Sequence, residues 1–461
     1  MPMGRTFFLD QHGCAKNQVD GELLIARLEA KGLVRVDDPA GADLIIVNSC
    51  GFIESAKKES LDSVMDARAS YPAAKILLAG CLAERYADVF KTELEEADGI
   101  LGNGDLSLID SAVDSLFAGD RPVLKAPQKG VCGGDRGSLL SFKGSAYVKI
   151  TEGCDNHCTF CAIPIIRGDL RSRPVSEVVD EVRSLVGRGV KEINLIGQDL
   201  AAYGCGKDDG FIGKGKSFLR ELMESISALP GQFWVRLLYI HPDHFNTDIL
   251  DLMEKDARFL PYFDIPFQSG DDGIIRAMNR HGSAESYVNL IQTIRTRFPE
   301  SAIRTTFLTG FPGESEEAAE NTRAFLKAIQ SDWSGCFAYS TEEGTPAAKM
   351  KGKVPHKKAE ARAAALGEIQ AAITQERLKA RVGKVYDVLI EEIIENKDGT
   401  DEGLAIGRAW FQAPDVDGSV VISYDLDDEE AVRQVVPGAV VRVRAAASSE
   451  FDISAEWERD I

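Results

Sequence analysis

Cys154-Asp155-Asn156-His157-Cys158-Thr159-Phe160-Cys161 is the stretch that decides how this chain is read. Three thiols stand at CxxxCxxC spacing, just after the strand-like run Ala146–Ile150. Three thiolates on one short loop can hold three irons of a four-iron cubane, and the fourth iron then lacks a protein ligand. An open iron binds a small chelating molecule, such as the amine and carboxylate of an amino acid. Zinc is the plain alternative: it wants four ligands, and His157 offers a nitrogen for the fourth.

Around this loop, strand-like runs alternate with helical periods. Ala146–Ile150, Glu192–Ile196, Trp234–Leu238, Tyr262–Ile265, Ala302–Leu308 and Cys336–Tyr339 read as strands. Ser176–Arg188, Ser217–Leu229 and Ala284–Phe298 read as helices between them. Six βα units predict an open or partial (βα)6 barrel, whose chemistry sits at the C-terminal strand ends. Gly197-Gln198-Asp199, Pro266-Phe267-Gln268-Ser269-Gly270, Thr309-Gly310-Phe311-Pro312-Gly313-Glu314 and Ser340 follow strands there. Each alone is a plain turn; together they form one rim. Gln198 and Gly310 are the rim positions assigned to ligand contact.

Before the loop, Thr6–Leu9, Asp43–Val47 and Lys75–Ala79 read as strands, with helices at Gln18–Lys31 and Ala56–Ser70. That alternation predicts a doubly wound parallel sheet. Cys14, Cys50 and Cys81 share no local motif, but each follows one of these strands. C-terminal strand ends in such a sheet converge on one crevice. Gly13 and Gly80 precede two of these cysteines and suit a tight approach. The alternative is three unrelated buried thiols. Cys132, Cys205 and Cys336 fit no pattern and read as structural or incidental.

A Gly-rich linker with little periodicity runs from Gly119 to Gly144. Past about Ala380 the helical period disappears. Val385–Glu391, Leu404–Arg408, Ser419–Ser423 and Val440–Arg444 predict a small antiparallel β-barrel of the oligonucleotide-binding type.

The chain has 461 residues, 44% apolar and 27% charged, with a formal net charge of −20. Such acidity argues against a protein that mainly grips phosphate backbones and suits a basic protein partner. No apolar run approaches the ~18 residues needed to span a bilayer, and no signal-peptide pattern opens the chain. The expected location is cytoplasmic. Nine cysteines in such a chain are not read as a disulfide framework.

With these segments in place, the chain resembles the methylthiotransferase family of the radical S-adenosylmethionine superfamily, from about Thr6 to about Ala446. The resemblance implies a methylthiotransferase N-terminal domain (1–118), a linker (119–139), a radical core (140–377) and a TRAM domain (378–449). It implies two [4Fe–4S] clusters: an auxiliary one on Cys14, Cys50 and Cys81, and a radical one on Cys154, Cys158 and Cys161. S-adenosylmethionine is the implied co-substrate, with Gln198 and Gly310 as its rim contacts.

Within the family, Gly13-Cys14-Ala15-Lys16-Asn17, Cys50-Gly51-Phe52-Ile53, Cys161-Ala162-Ile163-Pro164, Ile166-Arg167-Gly168 and Ala413-Pro414-Asp415-Val416-Asp417-Gly418 resemble the RimO branch. That branch modifies an aspartate of small-subunit ribosomal protein S twelve. Gly21, where Ser is usual, and Gln268-Ser269-Gly270-Asp271, which is closer to the tRNA-modifying branch, depart from it.

The implied chemistry is hydrogen abstraction from the aspartate β-carbon by a 5′-deoxyadenosyl radical, then sulfur insertion and methylation. A flavodoxin or ferredoxin is the implied electron donor. Arg381–Ile461 carries 8 Lys and Arg against 19 Asp and Glu, a balance of −11. This favours a basic protein substrate, with RNA binding not expected to dominate. The other readings are a tRNA adenosine methylthiotransferase and a non-catalytic iron–sulfur electron-transfer protein.

Overall fold

The computed structural model describes residues 4–126, 130, 133–209, 217–395 and 401–459. Cys132 lies outside them.

The N-terminal sheet comprises β1 (Thr6–Gln11), β2 (Val34–Arg35), β3 (Leu44–Ser49), β4 (Lys75–Gly80), β5 (Gly99–Leu101) and β6 (Val123–Leu124). All pairs are parallel, in the order β2-β1-β3-β4-β5-β6. Every residue of β3 is buried, as a strand covered on both faces requires. Leu44 and Ile46 pack into one core and Ile45 and Val47 into the other. Helices Ala15–Ala30, Glu54–Ser70, Cys81–Glu93 and Ile109–Ala118 supply those two layers. The last strand, β6, falls in the segment read as linker.

The central sheet starts at β7 (Ser145–Lys149). A two-stranded ribbon, β8 (Thr151–Glu152) with β9 (Arg171–Ser172), interrupts it. It then continues through β10 (Glu192–Ile196), β11 (Trp234–Leu237), β12 (Phe259–Asp264), β13 (Ala302–Thr309) and β14 (Trp333–Ala338). The spatial order is β14-β13-β12-β11-β10-β7, which is chain order, and all pairs are parallel. The sheet is a half barrel. Ala146, Val148, Ile193, Leu195, Val235 and Leu237 face the helical layer. Helix His356–Lys379 lies along the β14 edge, where Gln370 donates to the Ser331 carbonyl at 2.8 Å.

The C-terminal strands β15 (Val385–Ile394), β16 (Glu402–Ala409), β17 (Val420–Asp425), β18 (Val440–Ser448) and β19 (Ile453–Trp457) close a barrel in the order β15-β16-β17-β19-β18. The expected small antiparallel barrel has four antiparallel pairs and one parallel seam, between β17 and β19. A ring of five strands cannot alternate direction throughout, so one seam must be parallel. The sequence reading also missed β19, whose inward residues Ile453 and Ala455 give a weak apolar signal.

This barrel covers the inner face of the half barrel. Tyr147 on β7 donates to Asp415 at 2.8 Å, and Tyr262 on β12 donates to Asp417 at 2.6 Å. Arg236 donates to the Trp410 carbonyl at 2.7 Å. Buried Glu192 is clasped by Arg236 at 2.9 Å and by Arg408 of β16 at 2.6 Å. Among the described residues, no helix is long and apolar enough to cross a membrane.

Candidate iron–sulfur and S-adenosylmethionine site

The CxxxCxxC loop leaves the β8 ribbon and is pinned by backbone. The Cys154 N–H donates to the Gly168 carbonyl and the Thr159 N–H to the Met278 carbonyl, both at 3.1 Å. Asn279 Nδ2 donates to the carbonyls of Asn156 and His157 at 3.2 Å each. His157, at φ 48°, turns the chain between Cys154 and Cys158.

Cys14, Cys50 and Cys81 follow β1, β3 and β4, which are neighbours in the sheet. Cys14 stands at the N-cap of helix Ala15–Ala30, and Cys81 opens helix Cys81–Glu93. Gly80 has φ 92°, and a Cβ there would lie 2.7 Å from Asn48 Oδ1 and the Ser49 carbonyl. A Cβ on Gly13 would stand 3.4 Å from the Cys50 sulfur. Both glycines are therefore demanded by backbone shape and close approach.

All six thiols line one cavity of about 460 Å³, and all six are free. The two domains meet there: Cys81 packs against Ala162 and Ile166, just beyond Cys161. Gln198 also lines this cavity, together with Lys16, Tyr239, Gln268 and Arg280. Gly310 is not among the lining residues. Its N–H donates to Glu314 Oε2 at 2.6 Å, and its Cα faces Ala359.

Charge around the thiols is arranged closely. Arg167 Nη2 donates to the Cys81 sulfur at 3.1 Å, and Asn103 Nδ2 does so at 3.4 Å. Arg167 also pairs with Asp20 at 2.9 Å and Glu152 at 2.7 Å, and Lys149 pairs with the same two carboxylates. Burial pushes the thiols of Cys81, Cys154 and Cys161 up to about 12. Burial also raises Cys14, but Lys16 and Arg167 outweigh it and leave that thiol below its ordinary value. Buried thiols give up protons when metal charge replaces them. Six soft donors in two threes, with N–H donors aimed at one sulfur, fit two iron–sulfur clusters with open irons.

A second cavity beside the CxxxCxxC loop, about 530 Å³, is lined by Cys154, Asp199, Cys205 and His244. Asp199 accepts from Asn156 at 3.0 Å and bonds His244 Nδ1 at 2.7 Å. His241 Nδ1 accepts from the Asp243 N–H at 3.3 Å, and its Nε2 lies 3.9 Å from the Cys158 sulfur. Sequence reasoning missed Tyr239, Arg280 and His241 as site residues. Lys16 and Arg167 entered it only as marks of family branch, and Gln268 as a rim position and a branch mark. None carries a spacing signal; each reaches the site through tertiary packing.

Family models place these features. Residues 6–102 match the family described as "Uncharacterized protein family UPF0004", residues 148–326 the radical SAM superfamily, and residues 382–457 the TRAM domain. A radical S-adenosylmethionine methyltransferase, TsrM from Kitasatospora setae, solved with cobalamin and a [4Fe–4S] cluster, shares the fold. Its TM-score is 0.54 at 14% identity, covering 75% of this chain and 74% of that one. Fold and site thus define a radical S-adenosylmethionine enzyme, a class that uses S-adenosylmethionine and a [4Fe–4S] cluster.

"Ribosomal protein uS12 methylthiotransferase RimO" of Treponema denticola is 53% identical to this chain, covering 97% of it and 99% of the relative. The protein of the same name from Carboxydothermus hydrogenoformans is 35% identical over 98% of this chain and 100% of the relative. The chain belongs to this RimO family of methylthiotransferases.

Proposed function

We propose that this enzyme adds a methylthio group to the β-carbon of an aspartate in ribosomal protein uS12. The carrying observation is that three free thiols from each of two domains line one cavity. In this reading Cys154, Cys158 and Cys161 hold the radical cluster and Cys14, Cys50 and Cys81 hold the auxiliary one. Gln198 contacts S-adenosylmethionine between them. When bound, these groups supply a carbon-centred radical that takes hydrogen from the β-carbon, and the sulfur and methyl that replace it.

The chain's own residues define where that happens. Arg167 and Asn103 hold the Cys81 sulfur toward the cavity. Phe52, Ile53 and Ile163 give its wall apolar surface. The acidic run Asp425–Glu430 is largely exposed and suits a basic protein partner. A small reductant protein such as a flavodoxin or ferredoxin is the electron source, and the cytoplasm the location, consistent with a ribosomal substrate. The domain limits 1–118, 119–139, 140–377 and 378–449 belong to the same reading.

The test is anaerobic reconstitution with S-adenosylmethionine, reductant and either uS12 or tRNA. Mass spectrometry should show a methylthio addition on the protein. Addition to tRNA instead overturns the substrate assignment. Replacing Cys154, Cys158 and Cys161 by Ala should lower iron from about eight to about four per chain. Release of 5′-deoxyadenosine separates an enzyme from an electron carrier.

A further inference from the structure

Three basic side chains line the cavity of the six thiols, namely Lys16, Arg167 and Arg280, and among the described residues no aspartate or glutamate does. Arg167 is answered by Asp20 and Glu152 behind it. Among the described residues, the other two have no carboxylate in ion-pair contact. Arg280 is 5% exposed and, among the described residues, its side-chain hydrogen bonds go to the carbonyls of Pro266 and Phe267. Lys16 is 6% exposed, and among the described residues no carboxylate lies within ion-pair distance of it. Its ammonium rests 3.0 Å from the centroid of the Tyr239 ring.

A cation buried without an anion is costly. A ring face offsets part of that cost but supplies no negative charge. A site built this way is completed when its ligand brings the anion. The proposed reaction brings two carboxylates into the cavity, one on S-adenosylmethionine and one on the substrate aspartate. Arg280 stands toward Phe160, inside the radical loop. Lys16 stands two residues from Cys14 in the N-terminal domain and touches Tyr239 of the central domain, so it spans the gap between the triads.

We propose that Lys16 receives the side-chain carboxylate of the substrate aspartate and thereby fixes its β-carbon between the two cysteine triads. The carboxylate is bonded directly to that carbon, so anchoring it leaves one torsion to choose which hydrogen faces the radical source. This assignment rests on the aspartate reading above and adds to it the group that selects aspartate. It makes Lys16 a specificity residue, distinct from the thiols that hold iron.

The experiment uses full-length reconstituted enzyme as wild type, Lys16→Met and Lys16→Arg. The probes are two uS12 peptides, one with the target aspartate and one with asparagine in its place. Peptide affinity is read by fluorescence anisotropy, S-adenosylmethionine affinity by equilibrium dialysis, and cluster content by iron and sulfide assay. The wild type should prefer the aspartate peptide by about tenfold or more, as a desolvated charge pair gives. Lys16→Met should reduce that preference to about twofold or less, with iron content and S-adenosylmethionine affinity retained. Lys16→Arg should keep part of the preference, which shows that the charge and not the fold was lost.

An aspartate preference that survives in Lys16→Met overturns the assignment alone. So does a matching loss of S-adenosylmethionine affinity, which would make Lys16 the partner of that carboxylate. Loss of about half the iron in Lys16→Met also overturns it, since the ammonium would then be balancing cluster charge. Methylthio transfer to tRNA by the wild type overturns the aspartate reading and this assignment together.

Discussion

At the residue scale, the approach of Cys14, Cys50 and Cys81 to one another depends on glycines as much as on the strands they follow. Gly80 sits at φ 92° with no room for a Cβ between Asn48 and Ser49. Gly80→Ala should fold but displace Cys81, lowering iron from about eight to about four per chain while far-UV circular dichroism is unchanged. An unaltered iron count would show that the loop tolerates the shift. Gly21, where the family usually has Ser, has a similar basis. A Cβ there would collide with Gln11 Oε1 and come 3.0 Å from Asn48 Nδ2. In this chain Gln11 and Asn48 bond each other at 2.8 Å and occupy the space a serine would need. The departure is a local packing solution beside the Cys14 helix.

At the element scale, β10 and β16 are locked by Glu192 with Arg236 and Arg408. Burial alone would raise the Glu192 carboxyl, but Arg408 and Arg236 hold it well below the usual carboxylate range. The unfolded carboxyl titrates near ~4.3. The stability from this depressed value is therefore fully present above that pH and is lost as pH falls toward the lowered folded value. Glu192→Gln leaves two buried guanidiniums short of a negative charge and should cost about 3–5 kcal/mol at pH 7. Its stability should also fall less steeply than the wild type's below about pH 4. Urea unfolding at pH 7 and under acid conditions checks both; equal slopes at low pH would remove Glu192 from the acid limb.

At the scale of the whole molecule, the C-terminal domain commits some of its acidity to the half barrel and turns some to solvent. Asp415 and Asp417 are committed to Tyr147 and Tyr262 of the half barrel. Asp428 caps helix Glu429–Gln434, accepting from the Glu430 N–H at 2.9 Å, and pairs with Arg459 at 2.8 Å. Asp425, Asp427 and Glu429 remain exposed and have no role inside the barrel beyond local turns. Replacing these three by Lys should weaken uS12 binding several-fold and flatten its salt dependence, leaving S-adenosylmethionine affinity intact. Binding titrations at two ionic strengths measure this. An unchanged affinity would place the protein-docking face elsewhere.

Spacing and strand order alone sufficed to place the CxxxCxxC loop beside the first strands of a parallel half barrel and Cys14, Cys50 and Cys81 at three strand ends. These are local signals: a CxxxCxxC run, a period of apolar residues, a cysteine after each of three strands. The parallel β17–β19 seam was not legible, because it follows from the closure of a five-strand ring and not from any one strand. Nor was the charge set around the cavity, because its partners are distant in the chain. Lys149 meets Asp20 across 129 positions, and Arg408 meets Glu192 across 216. Burial decides which cations keep an internal carboxylate and which do not. Sequence alone determined that two sets of three thiols follow strand ends. Only the tertiary structure left Lys16 between the two thiol sets without a carboxylate in ion-pair contact among the described residues, because pairing inside a protein depends on distance in space.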